Sequence, residues 1–337
     1  MQTERQVPAS AQAADLHYKK EDLGASLGVP FFNFCMYIKT ATTIDEQIAK
    51  LKKRGMTILD EAKAREILSD IGYYRLGFYW FPFEKSYPNK YGRRHKFVVD
   101  AKFEDAVSLY YFDNDLRNIL APYLHRIEVS FRTTIIYIVS NYYKNNPTWF
   151  SDSKVIGEDF LKDLPIFYND IRKNEAIKRH HQKYHNDIYA PAWKTLEYMT
   201  FGGMLYLYQN LKEESLKQKI ADKFNISNLD AFESQMKTVR IIRNVCAHGH
   251  NLYDLHLPQS IKVGELKGLD NKQRHNISGG IIIMASILKA ISQNRRDELI
   301  YKINALLSNP EFAAILPIIK YISTKPAKEP ITHKTTY

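Results

Sequence analysis

The stretch from Phe103 to about Tyr143 constrains the fold most. Ala106, Leu109, Tyr110, Leu116, Ile119, Leu120, Ile127, Phe131 and Ile135 recur at threes and fours, the period of a helix rather than the alternation of a strand. Pro122 lacks an amide donor and predicts a kink or a break into two helices. His125, Glu128 and Arg132 sit on nearly one side of the pattern. Glu128 and Arg132 are an i,i+4 pair, which on a solvated face contributes only ~0.3–0.5 kcal/mol. A structural ion pair is the favoured reading; on so apolar a helix the two charges could instead reach into a polar site.

Other segments carry helix signals as well. Thr43-Ile-Asp-Glu46 has the form of a capping box, opening a helix that ends in Lys52-Lys53-Arg54-Gly55. A second helix runs from Asp60 to about Ile71. Further helices are expected over Met204–Leu211, Leu229–Ala247, Ile277–Ser292 and Arg295–Leu307, with a short one starting at Asn309-Pro310-Glu311. Nothing alternates as strand and no repeat period is visible, so the fold class is all-α. Residues 1–30 read as a flexible arm. Residues 31–100 form an N-terminal helical and aromatic region packed on the bundle, 101–323 the main helical domain, and 324–337 a flexible basic tail.

The chain has 337 residues with 48 Lys+Arg against 37 Asp+Glu, a net charge of +11. That surplus favours a polyanionic partner, and the 23 tyrosines and 17 phenylalanines offer stacking surfaces for bases; a basic protein with aromatics in its core is the plain alternative. Only Cys35 and Cys246 occur, neither in a CxxC pair, which excludes a disulfide framework or a cysteine-based zinc site and suits a reducing cytoplasm. The first 25 residues have no apolar secretory core. The most apolar run, Gly279 to Ile291, is too short for a membrane span of ~20 residues.

The chemistry concentrates in Arg240-Ile-Ile-Arg-Asn-Val-Cys-Ala-His-Gly-His-Asn-Leu-Tyr-Asp254. Asn244 and His248 are four apart and share a helix face; Arg243 lies beside it and Arg240 one turn before. Histidine exchanges a proton near neutral pH, and arginine presents a permanent fork of donors matched to phosphate. The competing structural reading has His248 capping the helix C-terminus and Arg243 paired with an acid such as Glu197. Elsewhere, Tyr87–Lys96 is a basic loop whose Arg93, Arg94 and Lys96 suit phosphate. Lys178-Arg-His-His-Gln-Lys-Tyr-His185 is a basic patch with Lys178, Arg179 and Lys183. His181 and His185 are i,i+4, but no acid lies between them as in a metalloprotease motif, so no metal site and no cofactor are assigned. Gly72–Phe83, the most aromatic segment, is better read as core than as a base-stacking platform, because large aromatics are mostly buried. Gly202-Gly203 suggests a bend or a close helix crossing.

Taken in order, several segments resemble the Abi-like abortive-infection proteins of the AbiD and AbiF type. They are Tyr73–Phe83, Phe103-Glu-Asp, Phe112-Asp-Asn-Asp-Leu-Arg117, Arg126-Ile-Glu-Val-Ser-Phe-Arg132, Trp193–Gly202 and Arg243–Tyr253, spread over roughly residues 40 to 254. The last also resembles the signature of HEPN domains, an arginine and a histidine separated by four to six residues with a polar residue after the arginine. The resemblance implies a HEPN-like helical bundle and a metal-independent endoribonuclease or toxin of anti-phage defence, with a small structured non-coding RNA as a plausible partner. One motif per chain implies a homodimer with a composite site. In that reading Arg243, Asn244 and His248 are catalytic. Arg93, Arg94, Lys96, Arg132, Lys178, Arg179, Lys183, Arg240, His250 and Tyr253 are candidate RNA contacts, with His250 and Tyr253 at the entrance. The alternative is a non-catalytic protein that holds a structured RNA in the same pocket.

Overall fold

The computed structural model describes residues 40–327. The expected N-terminal arm, the aromatic run at 31–37 and the tail beyond residue 327 lie outside the described residues. Among the described residues there are thirteen α-helices and no strand, so the fold is all-α.

The long periodic stretch forms one helix, α4 (Phe103–Tyr142), preceded by α1 (Ile44–Lys53), α2 (Glu61–Asp70) and the single turn α3 (Tyr73–Leu76). Glu104 and Asp105 occupy the first turn of α4, where acidic side chains complement the helix dipole. Its forty residues span about 60 Å at the usual rise. Of the kink or break expected at Pro122, the break does not occur, and the helix continues through it. Pro122 and Asn118, whose carbonyl it leaves without an amide partner, both lie on the exposed face, where water can take the lost bond. The cost is therefore small enough for the buried stripe to override.

The expected capping box is present: Thr43 Oγ1 accepts from the Glu46 amide, and Glu46 Oε2 accepts from the Thr43 amide at 2.7 Å. Asp60 caps α2 by accepting from the Lys63 amide at 2.9 Å. Ile48, Leu51, Leu68, Leu76, Trp80 and Phe97 close a small core around Phe103 and Ala106 at the start of α4. The chain between α3 and α4 is tied down by its backbone: the Phe103 amide donates to the Thr57 carbonyl and the Thr57 amide to Ala101, both at 2.9 Å.

After α4 come α5 (Glu158–Ile171), α6 (Glu175–Lys183), the turn α7 (Ala192–Thr195), α8 (Phe201–Gln209) and α9 (Glu214–Asp222). The last four are α10 (Leu229–Ala247), α11 (Ile277–Ile291), α12 (Gln293–Leu307) and the turn α13 (Leu316–Ile319). α8, α9, α10, α11 and α12 all pack on α4, so its apolar stripe is the axis of the main core. α11 is buried along nearly its whole length and approaches α10 closely at Gly280, where an added Cβ would stand 2.2 Å from Ile242 Cδ1. At Gly279 it would stand 1.9 Å from the Gln273 carbonyl oxygen.

These two glycines differ in what opposes them. The Ile242 methyl can rotate away, and alanine gains about 1 kcal/mol of helix propensity over glycine. The Gln273 carbonyl belongs to the backbone and cannot move alone. Gly279→Ala should lower stability by about 1–3 kcal/mol, and Gly280→Ala by less. Urea unfolding followed by circular dichroism checks that order, and equal losses would contradict it.

Candidate functional site

The motif occupies the last turn of α10, and the helix forms where expected. Asn228 caps it by accepting from the Ala231 amide at 2.8 Å, and Asp230 sits in its first turn. Phe232, Met236, Val239 and Ile242 are buried. Arg240 stands four residues after Met236 and Arg243 four after Val239, so both continue that face at its end, with the exposed Asn244 beside them. The helix stops at His248 because Gly249 takes φ +64, a left-handed conformation that costs other L-residues about 1–2 kcal/mol. The Gly249 amide then donates to the Cys246 carbonyl at 3.3 Å and the His250 amide to Val245 at 3.1 Å, satisfying the final carbonyls. His248 is the C-cap, with its own amide donating to Asn244 at 3.0 Å and its ring exposed. Arg75 Nη1 donates to the Gly249 carbonyl at 2.9 Å and pins the turn from the other side.

Arg243 is held by α4. Its Nε donates to Glu128 Oε2 at 3.2 Å, and its Nη1 reaches Asn244 Oδ1 at 3.4 Å. Glu128 Oε1 accepts from Arg132 Nη2 at 3.1 Å, and Arg132 also donates to the Met199 carbonyl at 3.0 Å. Glu128 and Arg132 are buried, whereas the Arg243 side chain keeps 39% of its surface. Two guanidinium groups thus share one buried carboxylate. The i,i+4 pair expected on α4 is present, and it also reaches the motif. The acid beside Arg243 is Glu128 and not Glu197; Glu197 instead approaches Arg132, at 4.0 Å. Arg240 Nη1 lies 3.4 Å from where a Cβ on Gly202 would stand, an ordinary contact, and the close approach of such a Cβ at Gly203 is to Met199 Cγ, at 2.7 Å, just before α8. The Arg240 Nε is buried without a hydrogen-bond partner.

A second buried cluster anchors the chain that leaves the motif. Asp113 accepts from the Leu252 amide at 3.0 Å, from the Tyr253 amide, from the Tyr79 hydroxyl at 2.9 Å, and from Arg117. Burial pushes its carboxyl above the ordinary range, and Arg117 and the two amides pull the other way. Arg117 also donates to the His250 carbonyl at 3.1 Å. Burial pushes the nearby Cys246 thiol up to about 12, which leaves it a neutral packing group rather than a nucleophile.

The remaining expected contacts divide. Tyr253 is buried and its hydroxyl donates to the Phe78 carbonyl at 2.8 Å, so it belongs to the core and not to an entrance; His250 is exposed. Arg93 is half-buried. It is held by Glu84 at 2.5 Å and stacked on Phe81 at 4.4 Å from the ring centre, and so braces its own loop rather than presenting a free guanidinium. Arg94 and Lys96 are exposed, as are Lys178, Arg179 and Lys183 on or at the end of α6, with Arg179 paired to Glu175 at 3.2 Å. His185 lies beyond the end of α6, so the His181–His185 spacing is not realised on one helix. His181 meets the Tyr168 hydroxyl at 2.7 Å, and burial holds its ring below its usual pKa. No group of three or more His, Cys, Asp or Glu placed to hold a metal occurs among the described residues.

Glu128 as the partner of Arg243, and Asp113, Arg117 and Arg75 as anchors of the turn, were not read from the sequence as parts of the site. The available signal was charge on an apolar helix at i,i+4, at both Asp113–Arg117 and Glu128–Arg132. Spacing alone does not say which distant residue completes each pair.

Fold and site define a helical protein in which a short Arg-to-His motif at a helix end is clamped against one long helix. A family model described as Abi-like protein matches residues 66–254, more than half of the chain. The chain belongs to the Abi-like protein family, and at the level of that family its role lies in abortive infection. No curated protein and no solved structure matches it. No helix among the described residues is long and apolar enough to cross a membrane.

Two substitutions test how the site is held. Gly249→Ala should cost about 1–2 kcal/mol, the price of a side chain in the left-handed region; a thermal melt unchanged from wild type would contradict it. Asp113→Ala leaves Arg117 buried without a counter-charge and should cost about 3–5 kcal/mol, read from chemical denaturation.

Proposed function

We propose that the protein is a HEPN-type, metal-independent endoribonuclease of the AbiD and AbiF kind, acting as a toxin in anti-phage defence. The observation that carries this reading is Arg243, tethered at Nε by the buried Glu128 carboxylate and next to the exposed Asn244 and His248 on the same helix end. RNA brings its own nucleophile, the 2'-hydroxyl. A base removes its proton, the oxygen attacks the adjacent phosphorus, and an acid protonates the departing 5' oxygen. His248 is suited to such transfers near neutral pH. Arg243 offers fixed charge to the phosphorane oxygens, and because Glu128 holds it in place, little reorganisation is needed as charge develops. Asn244 orients the imidazole or a phosphate oxygen.

One His248 per chain cannot serve as base and acid in the same step, so two copies in a homodimer would divide the roles. Arg132 is buried against Glu128 and Met199 and is no longer a candidate contact. Arg240 lies one turn before Arg243, and Arg94, Lys96, Lys178, Arg179 and Lys183 are candidate backbone contacts whose loss should flatten the salt dependence of binding. A small structured non-coding RNA is the partner this reading expects, in a cytoplasmic setting.

The test is incubation of RNA with wild type, His248→Ala and Arg243→Ala in EDTA. Each variant should lose about 100-fold or more in cleavage rate. Persistent cleavage by His248→Ala would remove it from the site. A wild type that cuts nothing yet purifies with bound RNA, seen as a raised 260-to-280 nm absorbance ratio, would replace the nuclease with an RNA holder. Mass photometry of the cleaving species checks the dimer, and a monomer that cleaves sinks the composite site.

A further inference from the structure

Beside the motif, on the Gly249 side, lies an open cavity of about 640 Å³, within the ~300–1,000 Å³ range of sites that hold small ligands. The turn after His248 supplies Gly249 and His250, and α3 with the residues after it supplies Tyr74, Arg75 and Phe78.

Three features narrow what the cavity takes. The aromatic segment splits there: Tyr79 and Trp80 are buried, whereas Tyr74 is 83% and Phe78 43% exposed. Their rings meet edge to face, 5.5 Å apart and at 84°. Large aromatic surface left in water side by side marks a place where another flat group lands. The second feature is charge. Arg75 is exposed, yet its guanidinium is oriented by the Gly249 carbonyl at 2.9 Å. Lys90 and the histidines His250 and His256 also face the cavity, and its acid, Asp254, is neutralised by Lys90 at 3.0 Å. The third is position, since the lining includes Val245, three residues before His248, and Gly249, the residue after it.

We infer that this cavity is a nucleotide subsite that receives an unstacked base of single-stranded RNA. The base lies against Tyr74 and Phe78, and its phosphate meets Arg75. The inference rests on the ribonuclease reading and deepens it by naming the substrate class. A duplex keeps its bases paired and stacked inside the helix and offers no free face. A single strand can turn one base out onto an aromatic platform, and each such stack is strong enough to shift affinity measurably. Cleavage therefore falls in unpaired RNA, next to the base that the cavity holds.

The test compares His248→Ala protein, which leaves the probe intact, with the same protein carrying Tyr74→Ala or Phe78→Ala. The probes are a short fluorescein-labelled single strand of RNA and the duplex of the same sequence, read by anisotropy. Tyr74 is so exposed that its removal should leave the thermal melt unchanged. Expected is a loss of about 5- to 150-fold in affinity for the single strand, with duplex affinity unaltered. Equal losses on both probes, or no loss on either, overturn the subsite. Loss confined to Arg75→Ala with none at Tyr74 or Phe78 overturns it too, since that describes a phosphate contact without a base. If Tyr74→Ala weakens strand binding while Arg243→Ala and His248→Ala still cleave, the subsite stands and the nuclease assignment falls. If cleavage depends on the motif but the aromatic variants bind as before, the subsite alone falls.

Discussion

The Asp113 carboxylate is the contact on which the arrangement of the site depends. It sits fully buried on α4 and draws together Tyr79, Arg117 and the amides of Leu252 and Tyr253. These come from three distant parts of the chain. A buried charge with any of its partners missing is expensive, so the carboxylate tolerates little slack in the segments around it. That is why the chain leaving His248 returns onto α4 at one place, and why Gly249 is left with a carbonyl that Arg75 can reach. The geometry of the motif is imposed largely from behind, by the buried Asp113, Tyr79 and Arg117.

The second layer is the Glu128 cluster. A buried ion pair is seldom more stabilising than apolar residues of the same volume, so Glu128 and Arg132 are poorly explained by stability alone. Their geometry suggests positioning. One carboxylate oxygen is spent on Arg132, itself fixed by the Met199 carbonyl, and the other on Arg243. Arg243 is therefore oriented at Nε by Glu128, while its Nη1 reaches Asn244 Oδ1. The apolar face of α10 completes the support: Ile242, the residue before Arg243, packs into the space that Gly280 leaves open. Cavity and motif share the Gly249 turn.

How much of this was legible in the sequence follows from how local each feature is. The bounds of α10, the Thr43 capping box and the all-α class depend on neighbours within a few residues, and they were readable. Features set by distant partners were not. Tyr253 sits in a polar-looking loop, but its hydroxyl finds the Phe78 carbonyl and it is buried. Arg93 stands in a basic loop, but Glu84 and Phe81 claim it. Pro122 predicts a kink or a break, and α4 makes no break there, because the missing bond falls on the side facing water. The aromatic stretch was read as one unit and proved to be two, core at Tyr79 to Phe81 and open surface at Tyr74 and Phe78.

By itself the sequence determined that this is a helical, basic chain whose Arg243, Asn244 and His248 fall on or beside one face of one helix end, since helical period is a property of short segments. Only the tertiary structure decided that Glu128 holds Arg243, that Asp113 and Arg75 fix the turn after His248, and that a cavity with two exposed rings opens beside it. Those are encounters between residues more than a hundred positions apart, with Arg75 and Gly249 separated by 174. They are selected by burial and by the cost of unpaired buried charge, terms that appear only once the helices have packed.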